Sequence, residues 1–357
     1  MIVPVTRSIA PDASILIPVR NEAAVLRETA HAILAQRFGG VVEFLFIDGR
    51  STDGSRELLE ALAGQDERVR VIDNPRGDLA SALVAGLTAA RGEYVAKMDA
   101  HTVFQADYVQ LGVERLRRGD VNWVTGPQIP LGRDAGSQRV ALALGTWLGA
   151  GSSAKWPTAA EAADEHDLDT SVFCGVWRRS VLEALGGWDP DWPVNEDSEL
   201  AARFLAAGER IVCMRGMGAQ YVPRNTLRGL ARQYWRYGQY RAKTARRHPG
   251  SLRRSHVLPS AVVVALAGAA AGGSSVRRVA TLPLVVYAVL ITATSARVAR
   301  EAGRDAAWLP VVLLTMHTSW GAGMLAGSVR FGPPLRALAR LTRSSKGARA
   351  VPHAPSS

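Results

Sequence analysis

Apolar runs and amphipathic stretches alternate along the first hundred residues of the chain. A short apolar run bounded by turn residues predicts a buried strand, and apolar positions that recur every three or four residues predict a helix. Asn21 has the side chain expected at the start of the first helix. In chain order, the pattern predicts a strand at 14–19, a helix at 21–36, a strand at 41–47, a helix at 55–63, a strand at 69–72, a helix at 79–90 and a strand at 94–98.

This alternation predicts a layered α/β domain built on a largely parallel sheet. Ligands of such sheets bind beyond the carboxyl ends of the strands. The polar segments 20–22, 48–53 and 99–101 each follow a predicted strand, so we expect them to meet at one edge of the sheet. Further along, helices are predicted near 179–184 and from the acidic segment 195–199 onward.

The last third of the chain has a different pattern, with three long stretches that contain no charged residue. They cover residues 255–276, 279–296 and 306–329, which are 22, 18 and 24 residues long. A membrane-spanning helix needs roughly 20 apolar residues. The second and third stretches are the better candidates, because the first is rich in Ala and Gly and also suits a re-entrant or interfacial segment. A buried hairpin of a soluble protein is the alternative, but arginine clusters flank every stretch and favour a membrane.

The charge of the chain changes sign where this pattern begins. Residues 1–223 carry 22 Lys and Arg against 30 Asp and Glu, a net charge of −8, whereas residues 224–357 carry 21 against 2, a net charge of +19. Arginines recur every four residues at the start of the basic part and form a stripe on one helix face, with Trp and Tyr between them. Such a helix suits a surface of anionic lipid. Nucleic acid is the alternative partner, and the adjacent apolar stretches argue against it.

Pattern and charge together divide the chain into four segments. The two cysteines, Cys174 and Cys213, are too few for a disulfide framework or a zinc site, and residues 1–14 lack the apolar core of a signal peptide. The catalytic part is therefore expected in the cytoplasm. We predict a catalytic domain at 1–223, a basic amphipathic interfacial segment at 224–256, two to three transmembrane helices within 257–330, and a basic, disordered tail at 331–357.

Carboxylates and one imidazole mark the predicted edge of the sheet. Asp48 and Asp53 flank a loop rich in Gly, Ser and Thr, where a carboxylate can accept a base N–H or a ribose hydroxyl. Asp53 equally fits an Asx-turn or a helix cap. Asp99 and His101 alternate at the end of a strand, so their side chains point to the same side and suit one shared cation, Mn²⁺ or Mg²⁺. Such a cation bridges diphosphate oxygens. An incidental Asp-x-His pair is the alternative.

A second acidic cluster lies at the start of a predicted helix. Glu196, Asp197 and Glu199 place three carboxylates within four residues. Acidic side chains are common at helix N-termini because they complement the helix dipole. The functional interpretation is a general base whose pKa is tuned by its neighbours.

Seven segments in this order resemble the family 2 glycosyltransferases with the GT-A fold, and are most similar to the succinoglycan-biosynthesis glucosyltransferase group. The resemblance covers about residues 12–250. Each segment alone is weak evidence for the family, whereas all seven in the family's order are a specific signature. They are IPVRNE at 17–22, DGRSTDG at 48–54, ARGEY at 90–94, MDAH at 98–101, GGWD at 186–189, NEDSEL at 195–200 and QYWRYG at 233–238.

The resemblance implies a Rossmann-like nucleotide-sugar transferase domain followed by a helical membrane region. It implies inverting transfer of a sugar, a hexose from a UDP-sugar, to a lipid-linked or glycan acceptor in exopolysaccharide or cell-envelope glycan synthesis. The enzyme would lie on the inner membrane with its catalytic domain facing the cytoplasm, and would bind anionic lipids rather than nucleic acid. A polyprenyl-phosphate sugar synthase on the same fold is the alternative. A non-catalytic membrane scaffold or a nucleic-acid-binding protein is the alternative of another class.

The resemblance also assigns roles to individual residues. Three departures from the family pattern bear on these roles: His101 replaces the second acid of the D-x-D motif, Asp48-Gly49 replaces a double aspartate, and Tyr237 replaces the tryptophan of a Q-x-x-R-W element. The first of these leaves the choice between Mn²⁺ and Mg²⁺ open. The implied roles are nucleotide-sugar binding by Pro18, Arg20, Glu22, Asp48 and Asp99, metal binding by Asp99 and His101, proton removal by Asp197, and diphosphate or acceptor contact by Gln233, Arg236 and Tyr237.

Overall fold

A computed structural model describes residues 10–151, 153–156 and 164–343 of the chain. Its contacts separate into two units. The first comprises the described residues up to Leu230 together with Leu290–Leu313, and the second comprises Ala231–Val289 together with the described residues from Leu314 onward.

The first unit is an α/β domain whose main sheet has eight strands. Their order across the sheet is β3-β2-β1-β4-β9-β6-β10-β8, and β5-β11-β7 form a second, smaller sheet. The strands are β1 (Ala13–Val19), β2 (Val42–Asp48), β3 (Val69–Asp73), β4 (Tyr94–Lys97), β5 (Thr102–Phe104), β6 (Trp123–Thr125), β7 (Gln128–Pro130), β8 (Glu165–Asp167), β9 (Gly175–Arg178), β10 (Ile211–Met214) and β11 (Ala219–Tyr221).

The helices of this domain lie between its strands in the chain. Their bounds are α1 (Ala23–Leu34), α2 (Ser55–Gln65), α3 (Leu79–Ala89), α4 (Tyr108–Arg117), α5 (Ala135–Leu144), α6 (Trp147–Ala150), α7 (Arg179–Ala184) and α8 (Glu196–Ala206).

The central strands are apolar on both faces because the domain has a core on each side of the sheet. Along β2, Phe44 and Phe46 belong to one buried cluster, whereas Leu45 and Ile47 belong to the other. Successive side chains of a strand point to opposite faces, so a continuous apolar run is what a strand between two helical layers requires. Each fully buried side chain of this size contributes roughly 1.5–3 kcal/mol.

The prediction of a largely parallel sheet is confirmed, with two strands reversed. Strands β1 to β4 pair in parallel, and so do β6 and β10. Strand β9 runs antiparallel between β4 and β6, and β8 pairs antiparallel with β10 at the edge. The apolar pattern of a strand reports its burial but not its direction, which is set by the connection that precedes it.

The prediction that Asn21 caps the first helix is wrong. Helix α1 begins after Glu22, which makes no side-chain cap hydrogen bond. Asn21 instead has a left-handed φ of 55°, and its side-chain oxygen accepts a hydrogen bond from the Thr52 N–H at 2.8 Å. Its left-handed backbone turns the chain between β1 and α1. Its side chain joins this loop to the loop that follows β2.

Five helices follow the α/β domain: α9 (Leu227–Arg247), α10 (Arg254–Ala271), α11 (Ser274–Ala302), α12 (Leu309–Phe331) and α13 (Leu335–Arg343). A short 3₁₀ turn at Gly303–Trp308 joins α11 to α12. Two helical stretches, Arg254–Ala271 and Ser274–Phe331, are long and apolar enough to cross a membrane. Only 11% and 17% of their most apolar windows are buried. The expected disordered tail contains α13, and its remainder from residue 344 lies outside the described residues.

Candidate active site

Three polar loops meet at one edge of the main sheet, as predicted. Strands β2, β1 and β4 are neighbours and run parallel, so their carboxyl ends lie side by side. The register pairs Val19 with Asp48 and Leu16 with Lys97. The loops that begin at Arg20, at Asp48 and at Asp99 therefore emerge together.

Hydrogen bonds fasten the first two loops to each other. The Asn21 N–H donates to Ser51 Oγ at 3.0 Å, and the Glu22 N–H donates to Ser55 Oγ at 2.9 Å. Asp53 accepts from the Ala23 N–H at 3.0 Å and from the Ser55 hydroxyl at 2.6 Å. The hydrogen bond from Ser55 holds the pKa of Asp53 below its ordinary value. Asp53 also accepts from the Ser55 N–H at 3.1 Å, so it is a structural residue in an Asx-turn, one of the two interpretations that the sequence allowed.

Asp48 lies at the rim of a cleft on this edge. Its carboxylate is buried and accepts the Ser51 N–H at 3.3 Å, while Arg56 lies 4.0 Å away. The cleft has a volume of about 390 Å³ and is lined by Asp48, Arg50, Asp73, Asn74 and Pro75. A carboxylate beside an amide in such a cleft can accept an N–H of a base or the hydroxyls of a ribose.

The neighbouring residues of β1 have different surroundings. Pro18 lies within the strand, so only its partly exposed side chain is available. Arg20 is exposed at the strand end, and its guanidinium donates to the Gly77 carbonyl at 2.6 Å. A Cβ on Gly77 would lie 3.1 Å from that guanidinium, and Gly77 has a φ of 69°. The hydrogen bond between Arg20 and the loop after β3 therefore requires a glycine at position 77.

His101 contacts Glu22 at this edge. Its Nδ1 lies 3.3 Å from Glu22 Oε1, and its side chain is about half exposed. The hydrogen bond to Glu22 raises the pKa of His101 above its ordinary value, and the charge of Asp99 acts in the same direction. No group of three or more His, Cys, Asp or Glu side chains among the described residues is arranged to hold a metal ion. Asp99 and His101 therefore make at most part of a coordination shell.

Asp197 lies in a buried cluster of charges that the sequence did not reveal. Its Oδ2 accepts a hydrogen bond from Lys97 Nζ at 2.6 Å, and its Oδ1 accepts from Trp188 Nε1 at 3.1 Å. Lys97 also donates to Glu196 Oε1 at 3.1 Å. Lys97 is 2% exposed, Glu196 7% and Asp197 9%. One cation thus faces two carboxylates away from water.

Burial affects the two partners of this cluster in different ways. Burial works against the charge of Lys97, but the carboxylates of Asp197 and Glu196 outweigh it, and the pKa of Lys97 lies well above its ordinary value. Burial raises the pKa of Glu196 to about 7, although Lys97 opposes the shift. Glu196 is therefore more than a helix-terminal charge.

Glu199 has the structural role that the dipole interpretation allowed. It is fully buried. Arg203 donates to Glu199 Oε2 at 2.9 Å from Nε and 2.7 Å from Nη2, and to Oε1 at 3.1 Å from Nε. Arg203 also donates to the Gly187 carbonyl at 2.6 Å. The pair ties α8 to the Gly186-Gly187 turn, where both residues have a positive φ. This turn positions Trp188 beside Asp197.

Sequence reasoning missed Lys97, although a signal was present. The residue interrupts an apolar strand, YVAK, in which all four side chains are buried. A lysine inside a buried strand needs a partner of opposite charge, because burying an unpaired ammonium is costly. Searching for that partner would have led to the acidic segment at 195–199.

Gln233, Arg236 and Tyr237 lie on α9 in the second unit. Gln233 Nε2 donates to the Tyr237 hydroxyl at 3.0 Å, one helical turn away. Tyr237 also packs against Tyr234, with ring centroids 5.9 Å apart. Arg236 is exposed. The tyrosine that replaces the expected tryptophan therefore orients the glutamine of the same element.

Comparisons with known proteins identify the family. The model of glycosyl transferase family 2 matches residues 14–186. The succinoglycan biosynthesis protein ExoA of Rhizobium meliloti is 30% identical over 315 residues, which are 87% of this chain and 92% of that protein. The chain is a family 2 glycosyltransferase. The match extends beyond the catalytic domain into the apolar helices, so the two proteins share their overall organisation.

A shorter sequence match and a solved structure add to this comparison. The hyaluronan synthase of Pasteurella multocida is 33% identical over 101 residues, which are 28% of this chain but only 10% of that protein. Among solved structures, the mannosyltransferase PcManGT from Pyrobaculum calidifontis, in complex with GDP-Man and Mn²⁺, aligns with a TM-score of 0.57 at 20% identity. That alignment covers 91% of this chain and 88% of the other. It establishes the GT-A fold of the glycosyltransferase.

Proposed function

We propose that this glycosyltransferase moves a hexose from a UDP-sugar to a hydroxyl of a lipid-linked or glycan acceptor, with inversion at the anomeric carbon. The observation that carries the proposal is that Asp48 and Asp99 lie at the carboxyl ends of two strands of one sheet and that Asp197 accepts a hydrogen bond from Lys97 at the end of β4, with a cleft beside Asp48. Exopolysaccharide or cell-envelope glycan synthesis is the expected setting, since the relative that aligns over most of the chain is named for succinoglycan biosynthesis.

The donor is expected to bind along the carboxyl edge of β1, β2 and β4. The cleft lined by Asp48 and Asn74 suits the nucleoside, because it offers acceptors for base and ribose N–H and O–H groups. Pro18, Arg20 and Glu22 lie at the carboxyl end of the neighbouring strand β1 and in the loop after it, and are expected to contact the donor there. Arg20 is positively charged and suits a diphosphate oxygen.

Asp99 and His101 are suited to supply two ligands of a Mn²⁺ or Mg²⁺ ion, which is only part of its coordination shell. Their carboxylate and imidazole are suitable donors, and oxygens of a diphosphate are suited to complete the shell. When bound, such a cation neutralises negative charge that develops on the leaving diphosphate. His101 contacts Glu22 through Nδ1, so Nε2 is the nitrogen that would take part, with Glu22 orienting the ring.

Asp197 is the proposed general base. It accepts the proton of the acceptor hydroxyl while that oxygen forms a bond to the anomeric carbon and the bond to the diphosphate oxygen breaks. The electron pair leaves with the nucleoside diphosphate, so no covalent intermediate with the protein is needed. Lys97 and Trp188 fix the orientation of the carboxylate, each through one of its oxygens. Gln233, Arg236 and Tyr237 are expected to contact diphosphate or acceptor.

We also propose that the protein is held at the inner face of the cytoplasmic membrane by its C-terminal helices and anionic lipid. The net charge of +19 after residue 223 and two apolar helical stretches support this placement. A basic surface near a membrane gains about 1 kcal/mol for each cation close to anionic headgroups. Nucleic acid is not an expected partner, because the basic part adjoins exposed apolar helices.

A donor screen tests the proposal. Purified full-length protein in detergent is incubated with Mn²⁺ and a panel of UDP-hexoses and GDP-mannose, and the release of nucleoside diphosphate and the anomeric configuration of products are measured. We expect turnover of at least one UDP-sugar with inversion. Transfer only to a polyprenyl phosphate would favour the synthase alternative. Failure to bind or turn over any nucleotide sugar would contradict the proposed function.

A further inference from the structure

Arg224 lies in the short segment between β11 and α9. In sequence it is the first of the arginines that recur every four residues, which predicted a place on the basic helix face. Helix α9 begins only at Leu227. Thr226 precedes the helix and accepts a hydrogen bond from the Gly229 N–H at 3.1 Å, in the manner of a cap. The prediction is therefore wrong for Arg224, which belongs to a loop of the first unit.

The smaller sheet brings this loop to the turn that holds Asp99 and His101. Strand β11 pairs antiparallel with β5, and its last residue, Tyr221, lies opposite Thr102. Thr102 closes the turn that begins at Asp99, because its N–H donates to the Asp99 carbonyl at 3.1 Å. The chain that leaves β11 therefore continues beside this turn, and Arg224 is the third residue along it.

The charge of Arg224 acts on His101. The hydrogen bond to Glu22 raises the pKa of His101, and so does the charge of Asp99, whereas the positive charge of Arg224 lowers it. Such an effect needs a short distance, because exposed charges are screened beyond roughly 10 Å in physiological salt. The register of β11 and this electrostatic effect place Arg224 at the same spot, beside the proposed metal pair.

The guanidinium of Arg224 is available for a ligand. Its side chain is exposed, and within the described part of the chain it makes no hydrogen bond or ion pair. Other arginines at this edge are engaged, since Arg20 donates to the Gly77 carbonyl at 2.6 Å and Arg56 pairs with Glu60 at 2.7 Å. A guanidinium offers five N–H donors in a fixed planar arrangement that matches two oxygens of a phosphate.

The backbone on both sides of Arg224 is held in place. Pro223 is buried, and Asn225 Nδ2 donates to Asp134 Oδ2 at 3.2 Å. A Cβ on Gly229 would lie 3.8 Å from Cβ and 3.9 Å from Cδ of Arg224, so the stem of the arginine runs along the first turn of α9. A cation on an anchored segment loses less conformational freedom when it binds a ligand.

We propose that Arg224 binds the diphosphate of the nucleotide-sugar donor. This inference rests on the proposed function. Diphosphate oxygens beside Asp99 and His101 carry negative charge, and a guanidinium can donate two parallel hydrogen bonds to them. Negative charge on the leaving oxygen grows as its bond to the anomeric carbon breaks, so this contact becomes stronger in the transition state. Arg224 thus contributes to donor affinity and to turnover.

Nucleotide binding to the full-length protein in detergent tests this role. Arg224→Gln removes the charge and keeps a polar side chain, whereas Arg224→Lys keeps the charge and loses the paired N–H donors. Arg228→Gln is the matched control, because it removes the same charge from an exposed arginine one helical turn further on. Calorimetry with Mn²⁺ gives the Kd of UDP and, by competition, that of uridine, and kcat and KM are measured for donor and acceptor.

Arg224→Gln should weaken UDP binding roughly 10–100-fold, as expected for the loss of a charge-assisted hydrogen bond, and should lower kcat. Uridine binding should not change, which also shows that the variant is folded. Arg224→Lys should retain part of the affinity for UDP. Arg228→Gln should bind UDP and uridine like the native protein.

Unchanged UDP affinity of Arg224→Gln would overturn the proposal. If the KM for the acceptor rises instead, Arg224 contacts the acceptor and not the donor. An equal loss of UDP affinity in Arg228→Gln would also overturn it, because the effect would then come from the net charge of the surface. If the native protein binds neither UDP nor GDP, the proposed function fails and this inference fails with it.

Discussion

Lys97 changes how the proposed base must be tested. An aspartate-to-asparagine change usually keeps the shape of a side chain and removes its basicity. Here Asp197 accepts from Lys97 on one oxygen and from Trp188 on the other. An asparagine can accept only one of these hydrogen bonds and must turn its NH₂ group toward the other donor.

Asp197→Asn should lower turnover by roughly 10²–10⁴-fold while nucleotide-sugar binding persists, because a base contacts the acceptor rather than the donor. Turnover and calorimetric donor binding are measured together. Glu199→Gln is the contrasting variant, since it weakens the pair with Arg203 and should lower stability more than chemistry. Normal turnover of Asp197→Asn beside an inactive Glu196→Gln would assign the base to Glu196.

Lys97→Met should destabilise the protein by about 3–5 kcal/mol, because it leaves two buried carboxylates without their cation. The double variant Lys97→Met/Glu196→Gln should recover part of that loss, since only one buried charge then lacks its partner. Denaturant titration of the purified proteins, followed by tryptophan fluorescence, measures both. If Lys97→Met is as stable as the native protein, water reaches the cluster and the pairing contributes little.

Glu196 should make stability depend on pH. Burial raises its pKa from the ordinary value of 4.5 to about 7. Between pH 4.5 and 7 the unfolded chain releases this proton and the folded protein keeps it, so the contribution of Glu196 to stability falls as pH rises through that range. Glu196→Gln should remove this fall.

The apparent melting temperature of the two proteins is compared between pH 5 and pH 7.5. The native protein should lose more stability over this range than Glu196→Gln does. Glu57→Gln, at an exposed acid of α2, is the control and should follow the native protein. Equal slopes in all three proteins would contradict the assignment of the raised pKa to Glu196.

At the scale of elements, the close packing of α9 and α12 depends on glycine. Ala has a higher helix propensity than Gly by about 1 kcal/mol, so a Gly-to-Ala change in an open helix stabilises it. At Gly238 the added methyl group would overlap the Trp320 carbonyl, a backbone atom that cannot rotate away. The overlap should outweigh the gain in propensity.

Gly238→Ala should therefore loosen α9 from α12, and trypsin should cleave the arginines of α9 several-fold faster in detergent. Gly64→Ala in α2 is the matched control, since nothing lies within 4 Å of the added atom. That variant should be cleaved no faster than the native protein. Unchanged cleavage of Gly238→Ala would mean that the two helices are less closely packed than the structure has them.

Much of the element order follows from the sequence, because the apolar runs are long and the loops are polar. Helix α7 spans the predicted range of 179–184, and β1, β2 and β3 lie within one or two residues of their predicted ranges. The direction of β9 and the turn at Asn21 could not be predicted from the sequence, because both depend on contacts with segments that are distant in the chain. For the same reason the contacts among the three uncharged stretches did not follow from the sequence, such as those of Trp320 with His256 and of Tyr287 with His317.

At the scale of the whole molecule, the division of charge should govern how the protein is extracted. We expect full-length protein to sediment with membranes after a wash in 1 M salt, because the Debye length is then about 3 Å and only apolar insertion remains. Detergent should release it. Fractionation with immunodetection measures both steps. Recovery in the soluble fraction after the salt wash would mean that charge alone held the protein at the surface.

The hydrogen bonds between the loops after β1 and β2 affect the binding free energy and the association rate of the proposed donor. Asn21, Glu22, Ser51 and Ser55 join these loops within the protein itself. Ordering a flexible segment consumes binding free energy, whereas a preorganised one leaves that energy available for affinity. For a nucleotide sugar that binds beside Asp48, these loops are therefore already ordered. Its association rate should be set by diffusion and charge rather than by the folding of a loop around it.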